Sequence, residues 1–523
     1  MDFIDGFLDR ITMYRLVLYY LFALLAIAAI FGAFGILPYN PVAIIFSTLF
    51  LLIVAWAANG ILARVMNAHP NTESTYITAL ILALIITPGM PTDVATVTFL
   101  AWAAVLAMAS KYVFAIDKKH IFNPAAFAVV MTALAFNQSA SWWIGGNIPM
   151  MAFVIVGGLL VIRKVRRFDL ALAFFIFALA SDIVTHAGFD PISTVQKALL
   201  HTPLFFFASV MITEPLTTPP TRWWRVAYGA LVGALFAPAI HIGAFYSSPE
   251  LALVAGNIFS FAVSPKGKRV LTLQKKEVVG TDIYHFTFKD DAGGRGKGLR
   301  FVPGQYLEWT LVPGRSEARH STAPAGRADD RGNRRYFTIA SAPTEDTIQL
   351  GVKFHEPSSS FKRALRAMQL GDTIVAGQLA GDFMLPKDPK KKLAFIAGGI
   401  GITPFRSMIK DLIDRGERRD IMLFYSNRTA DEIAYRDVFD EAERRSGTRT
   451  VYAITDTNEK ASGAAHYQGR ITADLIKKEI PDYRERMFYI SGTHAMTNAF
   501  ERTLRGMGVP RTRIKTDFFP GFA

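Results

Sequence analysis

Three glycines within four residues, Gly398, Gly399 and Gly401, close an apolar run that begins at Leu393, and Thr403-Pro404 and a helical pattern follow. Glycine lets a backbone come close to a diphosphate, and Thr403 adds a hydroxyl donor. A strand, such a turn and a helix together make a nucleotide cradle. Upstream, Arg335-Tyr336-Phe337-Thr338 offers a guanidinium suited to a pyrophosphate and a hydroxyl suited to a ring edge. Ser358, Ser359 and Ser360 stand before another helical run. There, backbone N–H groups and the helix dipole favour phosphate, or the serines simply cap the helix. Polar residues of a different kind interrupt an apolar setting: Asn123-Pro124 at a helix start, and Thr213, Glu214, Pro215 and Thr217 after a helix end. Local chemistry alone reads them as caps and a loop. Asp182 lies inside an apolar span, where an acid is either functional or interfacial.

The elements that must position these groups divide sharply by charge. Of 57 Lys+Arg and 43 Asp+Glu, only 13 and 11 fall in residues 1–264. The boundary is therefore placed near Ser264, and 523 residues allow two or three domains. The net charge of +14 resides mostly in the second half, where no basic stripe interleaves with stacking aromatics. Nucleic acid is not an expected partner; lipid headgroups and phosphate-bearing cofactors are. With no cysteine, the chain carries neither an iron–sulfur cluster nor thiolate zinc, and no metal site is expected.

Apolar stretches near 15–36, 43–65, 75–88, 93–115, 123–137, 143–162, 168–186, 197–213, 225–246 and 249–263 read as about ten spanning or tilted helices. Lys118 and Lys119, then Arg163 to Arg167, then Arg222 and Arg225, then Lys266 to Arg269 fall in alternate connections, and the intervening ones lack Lys and Arg. The positive-inside rule then predicts a multi-pass protein of the inner (cytoplasmic) membrane with both termini cytoplasmic. The acidic N-terminus leads into the first span without a small-residue cleavage site and is read as an anchor.

From Arg269 the pattern alternates in short strands (RVLTLQKKEVV, DIYHFTFKD, QYLEWTLV, YFTIASA, TIQLGVKF), which suggests a small barrel. Residues 312–334 read as an exposed insert. After Pro386 strands alternate with helices, as in a doubly wound parallel sheet. The fold expected is multi-domain: a polytopic α-helical membrane domain (1–264), a β-barrel (265–388) and a Rossmann-like α/β domain (389–523).

Residues 269–523 resemble the ferredoxin–NADP reductase superfamily through PGQY (303–306), RYFTIASAP, LGVKFHEPSSSFKRAL, GDFMLP, AGGIGITPF, FYSNRTADEIAY and YISGTHAM. The resemblance implies a barrel that binds FAD and a second domain that binds NAD(P)H. It assigns Arg335 and Ser358–Ser360 to the FAD diphosphate, and Phe337 and Thr338 to the isoalloxazine. Gln305, Tyr306 and Lys353 join the cofactor set. Gly398, Gly399, Gly401, Thr403, Pro404, Gly492 and Met496 fall to the nicotinamide nucleotide, and Ser491 joins Phe337 and Thr338 as catalytic. Phe337 stands where the family usually has tyrosine, and Ser491-Gly492-Thr493 where Cys-Gly-Pro is frequent. Ser426 and Arg428 either grip a 2′-phosphate or cap their strand, so NADH and NADPH both stay open. The terminal aromatics, Phe522 among them, cover a flavin ring in relatives.

YITALILALIITP, KKHIFNPAAFAVVMTALAF and VMITEPLTTPP are similar to the membrane subunit shared by Rnf complexes and the sodium-translocating NADH:quinone reductase (subunits D and B). That resemblance implies a ten-helix flavin-binding domain of two similar halves. Asn123, Pro124, Thr213, Glu214, Pro215 and Thr217 become flavin candidates. The threonine that bears FMN covalently in that family has no counterpart in the short Asn137–Gly146 connection, and Glu214 replaces the usual Asp. A non-covalent FMN or riboflavin is expected. The combined expectation is electron transfer from NAD(P)H through FAD to a membrane flavin, then to a quinone or an extracytoplasmic acceptor. Two other classes fit parts of the chain: a haem-based transmembrane reductase, which needs paired axial histidines, and a flavin transporter or sensor with a regulatory reductase half.

Overall fold

The computed structural model describes Leu8 and residues 11–66, 72–116, 119–186, 190–243, 245–264, 268–290, 299–311, 334–356, 358–456 and 466–517. The expected insert at 312–334, save its last residue, and the terminal Phe522 lie outside them. The chain forms two compact units, Met1–Lys266 and Gly267–Ala523.

The first unit is helical. Among the described residues, five helices are long and apolar enough to cross a membrane: α1 (Met13–Ala33), α2 (Pro41–Val65), α4 (Val94–Val113), α6 (Ile148–Val165) and α7 (Phe168–Thr185). Helices α3 (Thr72–Ile85), α5 (Pro124–Phe136) and α11 (Pro249–Val263) are apolar but shorter. A cap followed by proline starts α2 (Asn40-Pro41), α5 (Asn123-Pro124) and α11 (Ser248-Pro249). Proline's missing N–H costs nothing there, and the cap oxygen satisfies an orphan donor. Ile53, Trp56, Leu172 and Ile176 are more than half exposed, whereas Asn59, Asn123, Glu250 and Asn257 are buried. Apolar outside and polar inside is the arrangement that suits lipid.

Three expected spans are corrected. The stretch 197–213 is not one helix: α8 (Pro191–His201) stops before Pro203, and α9 (Leu204–Phe206) continues as a π-turn over Phe207–Met211. The stretch 225–246 is helical only as α10 (Arg222–Ala234); beyond it, His241–Ile242 pairs with Phe245–Tyr246 as a two-residue ribbon. Pro238 cannot continue a helix, and Gly243 takes a left-handed φ of 62°. The stretch 143–162 becomes helical only at Ile148, because the residues before it cap α3. Trp142 N donates to Ile85 O at 2.8 Å, and Trp143 Nε1 donates to Ala83 O at 2.9 Å. A helix that ends among apolar side chains needs such partners for its last carbonyls.

Helices α7 and α10 pack through glycine. A Cβ added to Gly229 would lie 2.7 Å from Leu170 O, and one added to Gly233 would lie 2.5 Å from Phe174 O. The i, i+4 spacing lets the two backbones approach closely.

The second unit holds two six-stranded sheets. In the first, β1 (Arg269–Gly280), β2 (Ile283–Asp290), β3 (Tyr306–Leu311), β4 (Arg334–Thr338), β5 (Ile348–Lys353) and β6 (Thr373–Ala380) lie in the order β4-β3-β6-β1-β2-β5, all antiparallel. The sheet curls until its edges meet: just past β4, Ala340 N donates to Gln349 O of β5 at 2.8 Å. Trp309, Phe286 and Phe288 fill the interior, and α12 (Ser360–Ala367) closes one side through Phe361.

The second sheet is parallel: β7 (Leu393–Gly398), β8 (Ile421–Asn427), β9 (Thr448–Ile454), β10 (His466–Gln468), β11 (Met487–Ser491) and β12 (Ile514–Asp517), in the order β10-β9-β8-β7-β11-β12. Alternate residues of β7 enter opposite cores, Phe395 on one face and Ala394 and Ile396 on the other. Burial on both faces explains its unbroken apolar run.

Candidate functional site

The order of the parallel sheet reverses beside β7: β8 follows on one side, and β11 lies on the other. Ligands of open α/β sheets bind beyond the carboxyl ends of the strands at such a switch point. Gly398 ends β7 there, and Ser491 ends β11. The tight turn Gly399–Ile402 leads into α13 (Thr403–Arg415), with Pro404 in its first turn. Gly399 has φ 51° and faces open space, a backbone that other residues rarely adopt. A Cβ on Gly401 would lie 2.5 Å from Ser491 O, and one on Gly492 would lie 2.9 Å from Met496 Sδ. A Cβ on Gly398 would collide with Met496. Gly398, Gly401, Ser491, Gly492 and Met496 are thus brought together, from sequence positions almost a hundred residues apart. Ser426 pairs with Gly398 one strand over. Arg428 is exposed, with Nε 3.8 Å from Asp456 Oδ2. The Thr403 hydroxyl is turned inward and donates to Ile400 O at 3.3 Å, so this threonine serves the turn itself.

On the barrel, the β-alternation of β4 sets Arg335 and Phe337 on one face. Arg335 lies 5.5 Å over the Phe361 ring, and the Phe337 ring centroid is 5.8 Å from that of Phe361. Phe361 belongs to α12, so Arg335, Phe337 and the serine turn that starts this helix share one wall. The serine hydroxyls themselves are spent on the turn. Ser359 Oγ accepts from Lys362 N at 3.2 Å, and Ser358 Oγ donates to His355 O at 2.6 Å. Arg363 donates to Ser358 O, which leaves a basic rim of Arg335, Lys362 and Arg363 on this wall. Lys353 Nζ lies 3.0 Å from Glu432 Oε1. Gln305 holds the PGQY turn, its Oε1 accepting from Val302 N at 2.9 Å. Gly304 in that turn has φ 91°, and a Cβ there would collide with Phe383 O. Tyr306 pairs in register with Thr338. Thr338 Oγ1 is buried without a hydrogen-bond partner among the described residues, a donor waiting for an acceptor. A basic wall, an aromatic ring and an orphaned hydroxyl fit FAD.

In the helical unit, Asn123 and Glu214 meet. Glu214 Oε2 accepts from Asn123 Nδ2 at 3.0 Å and from Thr217 Oγ1 at 3.2 Å, and Oε1 lies 3.4 Å from His120 Nε2. Asn123 also caps α5, its Oδ1 accepting from Ala125 N and Ala126 N. Two partners escaped the sequence reading: Asn257 Oδ1 accepts from Asn123 N at 2.7 Å, and Asn257 Nδ2 donates to Tyr228 OH at 3.1 Å. Their only signal was a polar residue within an apolar helix. Thr213 is turned back into its helix, donating to Ser209 O at 2.7 Å. A cleft lined by Asn123, Pro124, Thr213, Glu214, Ser74 and Thr78 opens beside the cluster. Asp182 pairs with His186 at 3.3 Å near the end of α7.

Residues 395–502 match the family described as "Oxidoreductase NAD-binding domain". The chain is 26% identical over 257 residues to a flavohemoprotein of Bacillus subtilis, a match covering 49% of this chain and 60% of that protein. It is also 26% identical over 226 residues to the reductase component 2 of terephthalate 1,2-dioxygenase from Comamonas, covering 43% and 61%. The C-terminal half is an NAD(P)H-dependent FAD oxidoreductase module. Among solved structures, the flavohem-like FAD/NAD binding domain of nitric oxide dioxygenase from Vibrio cholerae aligns over 48% of this chain and 98% of its own, with 18% identity and a TM-score of 0.40. The chain spans about 60% of the length of the curated relatives it matches.

Proposed function

We propose that this protein is a membrane-bound NAD(P)H-dependent flavin oxidoreductase. It draws electrons from NAD(P)H into FAD in the C-terminal module and passes them to a non-covalent FMN or riboflavin in the helical unit. From there they reach a quinone or an extracytoplasmic acceptor. Both termini lie on the cytoplasmic side of the inner membrane, where nicotinamide nucleotides are. Bound FAD accepts a hydride and releases electrons singly, chemistry that side chains do not supply. What the chain contributes is orientation. Arg335 and the basic rim around α12 hold a diphosphate, and the Thr338 hydroxyl meets a ring edge. Gly398 and Gly401 let the nicotinamide approach, while Ser491 and Met496 floor its pocket.

For the membrane half, the supporting observation is the Asn123–Glu214 pair beside its cleft, formed by the two motifs that resemble the flavin-binding subunit. A half-buried acidic side chain with three polar neighbours is a costly feature in an apolar unit and calls for a use. The test is a cofactor inventory of the whole chain purified in detergent. FAD plus one further flavin is expected. FAD as the sole flavin would remove the membrane relay, and a Soret band would replace it with haem.

A further inference from the structure

The barrel and the nucleotide-binding sheet meet at a polar clamp next to the glycine turn. Tyr435 stands just before α14 (Arg436–Arg445) with φ 61°, a left-handed backbone unusual for an aromatic residue. Its hydroxyl lies 2.9 Å from His285 Nδ1 on β2 of the barrel. Burial, and next Arg406, push His285 down to about 4, so its ring is neutral and accepts. Burial pushes the Tyr435 phenol up, so it keeps its proton and donates. Arg406, one turn into α13 from Thr403, lies 5.8 Å over the Tyr435 ring. Its Nη2 donates to Glu345 Oε1 at 2.9 Å, and its Nη1 donates to Ala340 O of the barrel at 3.0 Å. Gly351 of β5 makes the space: a Cβ there would lie 2.5 Å from the Tyr435 hydroxyl and 2.9 Å from Thr403 Cγ2. The contact therefore fixes how deeply the turn that opens at Gly398 sits against the barrel wall.

We propose that Tyr435, through His285 and with Arg406 clamped on Glu345, is a positioning residue that sets the distance of closest approach between nicotinamide and flavin. It touches neither ring; it acts through Gly351 and Thr403. The inference rests on the reductase reading of the C-terminal module. Hydride transfer is steep in distance, and a misplacement of about 1 Å costs on the order of a hundredfold in rate.

The test uses the full chain in detergent with its FAD, reduced anaerobically in a stopped-flow instrument by NADH, NADPH and 4-deuterated NADH. Tyr435→Phe removes one oxygen, and Gly351→Ala wedges the contact from the barrel side. Both are expected to keep the FAD content. Both should lower the limiting rate of flavin reduction by roughly 10- to 100-fold and alter the primary isotope effect, with the nucleotide Kd within about threefold of the parent. A parent-like limiting rate and isotope effect in both variants overturns the proposal, as does a loss that merely tracks lost FAD. Should Gly351→Ala not fold, Tyr435→Phe decides alone. A parent that neither nucleotide reduces overturns the reductase reading, and the proposal falls with it.

Discussion

At the scale of single residues, the structure brings several sequence motifs together while turning some of their polar atoms inward. Gly401 and Ser491 do meet, as do Asn123 and Glu214. Yet the hydroxyls of Thr403, Ser358 and Thr213 turn back onto their own backbones, and Lys353 pairs with a carboxylate. A hydroxyl near a helix end is satisfied most cheaply by the nearest carbonyl, and a motif cannot show which way it points. The Tyr435–His285 bond joins residues 150 apart and leaves no periodic trace. Its energetic trace is a pH dependence. An exposed histidine titrates near 6.5, whereas folded His285 titrates at about 4. Above about pH 6.5 both folded and unfolded chains hold it neutral, and stability is full. As the pH falls below that value the unfolded chain binds the proton first. Stability then declines, by up to about 1.4 kcal/mol per pH unit, until the folded form protonates too. The thermal midpoint of FAD release should therefore drop between pH 7 and pH 5 in the parent, and drop less in His285→Asn. Equal drops in both would remove His285 from the account.

At the scale of elements, charge and hydropathy located the helices, and alternation located the strands. Misplaced ends share one cause, backbone that must be satisfied without water. Trp142 to Ile144 form a turn and not a helix because the last carbonyls of α3 need donors, and no apolarity window registers that need. Pro203 and Pro238 were visible breakers inside runs apolar enough to pass for spans. The glycine pair of α10 is a legible signal with a stronger consequence. Gly233→Leu would drive a side chain into the α7 backbone at Phe174 and Ala178. Overpacking of this kind costs about 1–3 kcal/mol. The variant should aggregate at a lower temperature in detergent than the parent, with Gly60→Leu as a control, since nothing lies within 4 Å of a Cβ at Gly60. Equal aggregation temperatures for Gly233→Leu and the parent would contradict close α7–α10 packing.

At the scale of the whole molecule, the architecture joins a reductase module to a helical unit whose buried polar cluster surrounds a small cleft. The proposed relay requires that electrons leave the first by way of the second. The most direct measurement places the chain in liposomes with the reductase module outside and ferricyanide trapped within, NADH or NADPH being added outside. The account predicts that the enclosed ferricyanide is reduced, and that Glu214→Ala slows this without slowing reduction of ferricyanide added outside. Reduction of the external acceptor alone, with the enclosed pool untouched, would contradict it.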